Sequence, residues 1–131
     1  MPVERQREYE TIYILRPDAA AEDVANIRER VQGVIDNEGG HTLKFDDWGS
    51  RKMAYEIKDK AEGRRFERGL YHSHRYMVPS GTVAEIERNL RLLDPVLKFL
   101  TVKIDDDLIP DERLARPEEE EQEVVTPEDS E

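Results

Sequence analysis

Apolar and polar positions in the N-terminal part of the chain predict a β-strand followed by an α-helix. Residues 9–15 (YETIYIL) are rich in β-branched and aromatic side chains, which favours a strand. Apolar residues then recur at helical spacing over residues 24–35, and the pair Gly39-Gly40 ends this pattern. Between the two elements stands Asp18, which is predicted to cap the helix because its carboxylate can accept from free backbone amides.

The middle of the chain predicts one long strand and a hairpin. Apolar residues alternate with polar ones on both sides of the segment WGS (residues 48–50), so we expect a single strand with a β-bulge at this glycine. Residues 58–68 are mostly polar and are predicted to form a long hairpin loop. Residues 69–78 (GLYHSHRYMV) then predict a third strand.

The remaining pattern predicts a second helix and a fourth strand. Thr82 and Glu85 have the spacing of a capping box, so Thr82 is predicted to cap this helix. Asp94-Pro95 ends the helix, and residues 96–104 (VLKFLTVKI) predict the last strand. The order β-α-β-β-α-β is that of the ferredoxin-like fold, an α+β class with a four-stranded antiparallel sheet and two helices on one face.

Both faces of the predicted sheet carry apolar residues. In the first strand, Thr11, Tyr13 and Leu15 point to one face and Ile12 and Ile14 to the other. An antiparallel sheet with one solvated face alternates more cleanly between apolar and polar residues. Because the helices cover only one face, we expect the open face to bind a protein partner.

The net charge of −11 is concentrated at the C-terminus. Residues 105–131 contain thirteen acidic and two basic residues, whereas residues 1–104 contain eighteen of each. The acidic, proline-containing segment has too little apolar surface to offset its ordering entropy, so residues 105–131 are predicted to be a disordered tail and residues 1–104 the folded domain. A nucleic-acid partner therefore remains possible for the domain despite the acidic total.

Several classes of protein are disfavoured by what the sequence lacks. There is no cysteine, so disulfides, thiolate metal sites and a cysteine nucleophile are excluded. The N-terminus lacks the apolar core of a secretory signal, and no apolar stretch is long enough to cross a bilayer. No nucleophile elbow, Walker loop or dinucleotide fingerprint occurs. We therefore expect a cytoplasmic protein with no membrane association, no cofactor, no small-molecule substrate and no enzymatic activity.

Two groups of side chains remain as candidates for chemistry. Residues 51–75 contain eight lysines or arginines against four acids, a cluster that fits either phosphate binding or a solvated surface. His72 and His74 are two apart on a predicted strand and so share a face, where they could chelate a metal with His41 as third ligand. Structural or RNA-facing histidines are the favoured interpretation, and no metal is predicted.

The segment WGSRKMAYEI (residues 48–57) resembles the Gly-x-basic-basic-apolar-Ala-Tyr-x-Ile segment of the bacterial small-subunit ribosomal protein six family. Four further segments agree with that family in order and position: REYETIYILRPD, VIDNEGGHTLKFDDWG, YMVPSGTVAEIERNLRL and DPVLKFLTVK. The resemblance covers about residues 7–104. The chain departs from the family in a longer hairpin loop near residues 64–68 and in the HSH segment that replaces aromatic residues of strand three.

The resemblance implies a ferredoxin-like structural protein that binds small-subunit ribosomal RNA together with a small basic ribosomal protein, numbered eighteen. The residues that it implies for RNA contact are Arg7, Arg51, Lys52, Arg88 and Arg91. Those that it implies for the face towards the protein partner are Ile12, Ile14, Tyr71 and Arg75. Two alternatives are a homo-oligomeric regulatory domain of the same fold and a small metal-dependent enzyme that uses His72 and His74.

Overall fold

The strands and helices follow each other in the predicted β-α-β-β-α-β order. The computed structural model describes residues 5–115. Its elements are β1 (Gln6–Leu15), α1 (Ala21–Asn37), β2 (His41–Lys58), β3 (Arg65–Val78), α2 (Thr82–Leu92), β4 (Val96–Leu108) and α3 (Pro110–Ala115). The four strands form one antiparallel sheet in the order β2-β3-β1-β4. The predicted fold class is confirmed, with β1 and β3 in the centre.

The hydrophobic core lies between one face of the sheet and helices α1 and α2. Alternate residues of the central strands point into it because side chains of a strand alternate between the two faces. Each fully buried large apolar side chain stabilises the fold by about 1.5–3 kcal/mol. The buried core residues are Tyr13, Leu15, Ile27, Val31, Ile35, Tyr76, Val78, Ile86, Leu90 and Val96.

A chain of hydroxyl groups crosses the three strands β3, β1 and β4 on this covered face. Thr11 Oγ1 lies 2.7 Å from Tyr76 Oη and 2.9 Å from Thr101 Oγ1. Burial raises the pKa of Tyr76 to about 12, so its hydroxyl stays protonated and available for hydrogen bonding. These bonds satisfy polar groups that would otherwise be costly to bury between the apolar side chains.

The predicted cap of the first helix is wrong. Ala20 is the N-cap residue, and its backbone amide donates to Asp23 Oδ2 at 3.3 Å. Asp18 instead accepts a hydrogen bond of 3.0 Å from Arg64 Nη2, which belongs to the distant β2–β3 hairpin. The Asp18 carboxylate therefore binds a distant guanidinium instead of the backbone amides at the start of the helix.

The predicted cap of the second helix is also wrong. Gly81 is the N-cap residue and has φ of 95°, a left-handed conformation that glycine adopts without a Cβ clash. Thr82 is therefore the first helical residue, and it is buried. The Glu85 carboxylate bonds Arg88 rather than reaching back to the helix start.

The β-bulge is confirmed at Gly49. The register of β2 against β3 shifts between Asp47 and Gly49, and Gly49 has φ of 77°. The backbone amide of Gly49 donates to Asp47 Oδ1 at 2.8 Å, which stabilises the irregular turn. The single long strand predicted from the alternation is thus present, with its expected interruption.

The long hairpin loop predicted over residues 58–68 is wrong, because β3 already begins at Arg65. The remaining turn is ordered around Asp59, which is only 3% exposed. Asp59 Oδ1 accepts from the Arg64 amide at 2.6 Å, and Asp59 Oδ2 accepts from the Glu62 amide at 3.3 Å. Polar composition suggested a loose loop, but here the polar groups satisfy each other.

The β2–β3 hairpin folds around one end of the sheet and contacts α2 and β4. Lys60 Nζ donates to the carbonyl oxygens of Arg91 at 2.6 Å and Leu90 at 3.3 Å, at the C-terminal end of α2, where carbonyl groups lack helical partners. Lys98 Nζ donates to Tyr55 Oη at 3.0 Å, which joins β2 to the strand at the opposite edge. The hairpin thereby closes that end of the domain.

Residues 105–115, predicted to be disordered, carry regular structure. Strand β4 continues to Leu108, which pairs with Gln6 of β1 and is only 7% exposed. The short helix α3 follows at Pro110–Ala115. Pairing with β1 gives the backbone of this acidic segment hydrogen-bond partners that composition does not reveal. The rest of the predicted tail, residues 116–131, lies outside the described residues.

We expect opposite effects on stability from alanine at two glycines. A Cβ at Gly69 would clash with Ile14 Cγ2 and lie 3.1 Å from the Leu15 carbonyl oxygen, so Gly69→Ala should lower the free energy of unfolding by about 1–3 kcal/mol. Gly33 lies within α1 with no atom within 4 Å of its added Cβ, so Gly33→Ala should raise it by about 0.5–1 kcal/mol. Urea unfolding measures both, and equal effects would contradict the close packing at Gly69.

Candidate nucleic-acid and protein interfaces

Arg51 and Lys52 lie on β2, an edge strand of the sheet, next to the bulge. In register they stand opposite Gly69 and Arg68 of β3. The Arg51 guanidinium carbon is 5.4 Å from the centre of the Trp48 ring, a cation–π distance, and Arg51 Nε donates to the Trp48 carbonyl oxygen at 3.4 Å. Lys52 is exposed and forms no ion pair within residues 5–115. The edge therefore presents two cations beside a half-buried indole.

The other three arginines predicted for RNA contact lie elsewhere. Arg88 and Arg91 are exposed on α2, the helix that packs against β4, whereas α1 packs against β2. Arg7 is near the start of β1, opposite Val78 at the far end of β3. The structure does not bring the five predicted residues together, and the β2 edge and α2 form separate basic positions.

Two of these arginines are paired with acids of the same chain. Arg88 Nη2 donates to Glu85 Oε1 at 2.8 Å, and this bond raises the Arg88 pKa. Arg7 Nε lies 3.2 Å from Asp106 Oδ1. Exposed ion pairs of this kind contribute about 0–1 kcal/mol each, so a phosphate group can replace the carboxylate at small cost.

Two arginines of the β2–β3 hairpin, Arg64 and Arg68, are held by contacts with nearby residues. Arg64 Nη2 contacts Asp18 and Arg64 Nε lies 3.0 Å from Glu62 Oε2. Arg68 donates from Nε to Ser50 Oγ and from Nη2 to the Ser50 carbonyl oxygen, both at 3.2 Å. These contacts connect the hairpin to its neighbours instead of leaving long side chains free.

The four residues predicted for the protein-partner face share the open side of the sheet. Ile14 stands opposite Tyr71 in the register of β1 against β3, and the residues beside them on that face follow the same alternation. Their accessibility differs, because Ile14 is only 8% exposed and the Arg75 side chain 18%. The four residues are Ile12, Ile14, Tyr71 and Arg75.

Three exposed aliphatic residues of the open face lie on β4 and were not among those predicted for the site. Leu100 is 58% exposed, Val102 44% and Ile104 46%. Strict alternation would place Val96 on the same face, but a register shift between Ile14 and Leu15 turns Val96 into the core. Their alternation with polar residues at 101 and 103 was the feature of the sequence that could have identified them as residues of one face.

His72 and His74 share a face, as their spacing predicted, and it is the face covered by the helices. The His72 ring is stacked on Tyr13 with centroids 5.5 Å apart, and His74 meets Phe45 edge-on at 5.5 Å. Within residues 5–115, no three His, Cys, Asp or Glu side chains are grouped so that they could bind a metal. Both histidines are core residues in this structure.

The hydrogen bonds around His74 define its protonation. Thr42 Oγ1 donates its only proton to Gln32 Oε1 at 2.6 Å. His74 Nε2, 2.9 Å from Thr42 Oγ1, must then be the donor, which leaves Nδ1 without a proton. Burial, reinforced by the charge of Arg28, lowers the pKa of His74 to about 4. Burial also lowers the pKa of His72.

Comparisons with known proteins agree with the fold and the segments described above. The family model for ribosomal protein S6 matches residues 8–103. The chain belongs to the ribosomal protein S6 family. A small ribosomal subunit protein bS6 from Trichlorobacter lovleyi is 44% identical over 83% of this chain and 83% of its own, and one from Syntrophobacter fumaroxidans is 41% identical over 84% and 71%. A crystal structure of 30S ribosomal protein S6 from Thermotoga maritima matches with a TM-score of 0.65 and 28% identity, covering 76% of this chain and 88% of that one.

Membership of the ribosomal protein S6 family gives the chain a structural role in the small ribosomal subunit. The family consists of structural proteins and not enzymes, and the ribosome where they act is cytoplasmic in bacteria. Within residues 5–115, no helix combines the length and apolar character that spanning a bilayer requires. The metal-dependent enzyme considered from the sequence is therefore set aside.

We expect acid to destabilise the domain through His74. Because its folded-state pKa of about 4 lies below the ordinary 6.5, the unfolded chain binds a proton first, and stability is lost as the pH falls below 6.5. Between pH 7 and pH 5 this histidine should account for a loss of about 2 kcal/mol. Urea unfolding of the chain and of His74→Gln at both pH values measures it. An equally steep pH dependence in the variant would show that His74 is not responsible.

Proposed function

We propose that the chain binds small-subunit ribosomal RNA and a small basic ribosomal protein, numbered eighteen, at the same time on adjoining surfaces. The observation that carries this proposal is the position of the cationic β2 edge beside the open sheet face. Arg51 stands opposite Gly69, on the same side of β3 as Tyr71, so the edge and the open face are continuous. One surface suits phosphate and the other suits apolar protein contact.

The RNA contacts are assigned to Arg51 and Lys52 first. A guanidinium binds phosphate oxygens through two parallel hydrogen bonds, and an exposed ammonium adds a point charge. Trp48 lies beside them and offers an aromatic face for an unpaired base. Arg88 and Arg91 would contact other phosphates where the RNA passes α2, and Arg7 would contact a further phosphate at the start of β1.

The protein contacts are assigned to the open face around Ile12, Ile14, Tyr71 and Arg75. The neighbouring apolar residues of β4 extend this face to the edge of the sheet, and burying them on association would contribute hydrophobic free energy. Two carboxylates, Glu8 and Glu10, lie on the same face. Arg75 Nε is 3.8 Å from Glu8 Oε2, and Arg75 Nη2 is 3.9 Å from Glu10 Oε2. A face with apolar and acidic residues is complementary to a basic partner.

We expect the double variant Arg51→Ala, Lys52→Ala to bind RNA more weakly and with a smaller salt dependence. Losing two phosphate contacts should reduce the slope of log affinity against log salt concentration by about 1.5. The measurement is binding of the full chain to a central-domain fragment of small-subunit ribosomal RNA over a salt series, with and without the basic partner. The full chain is required because β4 runs past residue 104.

The matched control is Lys44→Ala, Lys103→Ala, which removes the same charge from two lysines that pair with Asp46 and Asp106. Its salt slope should stay close to that of the unmodified chain. Equal losses in both double variants would mean that total charge, not the β2 edge, governs binding. A stable homodimer with no RNA affinity would instead support the regulatory-domain alternative.

A further inference from the structure

Helix α3 lies against the open face of the sheet. Arg113 Nε donates to Glu8 Oε1 at 2.8 Å, and the two side chains are only 11% and 6% exposed. Glu8 belongs to the open face because its neighbour Tyr9 packs on the helix-covered side, and strand residues alternate. The C-terminal segment therefore contacts the Glu8 end of the face that the proposed function assigns to the partner.

The contact is charged and specific. Glu8 and Glu10 are neighbouring carboxylates on one side of β1, and Ser73 Oγ donates to Glu10 Oε2 at 2.6 Å. Arg75 lies within ion-pair distance of both carboxylates. A buried carboxylate needs a cation and hydrogen-bond donors, and Arg113 supplies part of that need at Glu8.

The helix itself is short and lies at the surface. It has six residues, none of them buried, and Leu114 is 45% exposed. A cleft of about 280 Å³ remains between α3, the end of β4 and the start of β1, lined in part by Arg5, Leu108 and Glu112. So short a helix has little stability of its own, and the nearly buried Arg113–Glu8 ion pair helps to hold it in position.

From these observations we propose that α3 is a displaceable cover of the acidic end of the partner face, around Glu8, and that a basic residue of the partner replaces Arg113 there. This inference rests on the proposed function, since the partner is the small basic protein that the open face would bind. Before assembly, Arg113 keeps the Glu8 carboxylate paired and α3 shields the acidic end of the face. On assembly, one guanidinium or ammonium group exchanges for another.

The test compares the affinity of fluorescently labelled basic partner protein for the full chain and for Arg113→Ala. Removing the arginine releases α3, so the partner no longer has to displace it. If α3 covers the face in about nine molecules of ten, the affinity should rise about tenfold. The control is Lys103→Ala, which removes an exposed ion pair of β4 with Asp106 and should change the affinity by less than about twofold.

A second variant tests where the partner's cation binds. Adding Glu8→Gln to Arg113→Ala leaves α3 released but removes the carboxylate, so the affinity should fall by about tenfold relative to Arg113→Ala alone.

Hydrogen exchange measures the displacement of α3 directly. The Arg113 amide, which donates to the Ile109 carbonyl oxygen at 3.0 Å, should lose protection when the partner binds.

Three results would contradict the proposal that α3 covers the acidic end of the partner face. Unchanged or weaker binding by Arg113→Ala would mean that α3 does not compete with the partner, as would an Arg113 amide that stays protected in the complex. An unchanged affinity on adding Glu8→Gln would remove the proposed exchange of cations. If neither the chain nor Arg113→Ala binds the basic protein, the proposed function itself fails, and the cover fails with it.

Discussion

Two helices cover only one face of a four-stranded sheet, and the rest of the molecule follows from that constraint. The covered face contains the hydrophobic core and the hydroxyl chain through Thr11. The opposite face has the same strands but no helical layer, so its side chains meet solvent, the chain's own C-terminal segment or another molecule. A structural protein of an assembly uses this asymmetry, because one side maintains the fold while the other remains available.

The elements and the fold class follow from patterns that are local in sequence. Alternation gave β2 and its bulge, since Gly49 interrupts the apolar period where the register shifts. Helical spacing gave α1 and α2. Predictions from these patterns agree with the structure because the spacing of apolar residues determines which side of each strand or helix is buried.

The errors concern polar residues whose partners are distant in sequence. Asp18 was assigned to a helix end but bonds Arg64, 46 residues away. Residues 105–115 were assigned to the tail because they are acidic, yet β4 pairs there with β1, and Arg113 reaches Glu8 across 105 residues. The candidate RNA-contact residues came from the family resemblance. That they lie apart, on the β2 edge and on α2, is seen only in the structure, because spacing along the sequence does not show how strands and helices are arranged in space. Local propensity cannot report such long-range pairs.

The position of β1 has a consequence for synthesis of the protein. The first strand to be made is flanked by β3 and β4, and Thr11 meets Thr101 across 90 residues of chain. At cellular translation rates of 5–20 residues per second, that separation corresponds to roughly 5–20 s. During this interval one edge of β1 has no paired strand, because β4, which pairs with that edge, is the last strand of the sheet to be synthesised. During that time a chaperone or another nascent chain has access to the edge that β4 later covers.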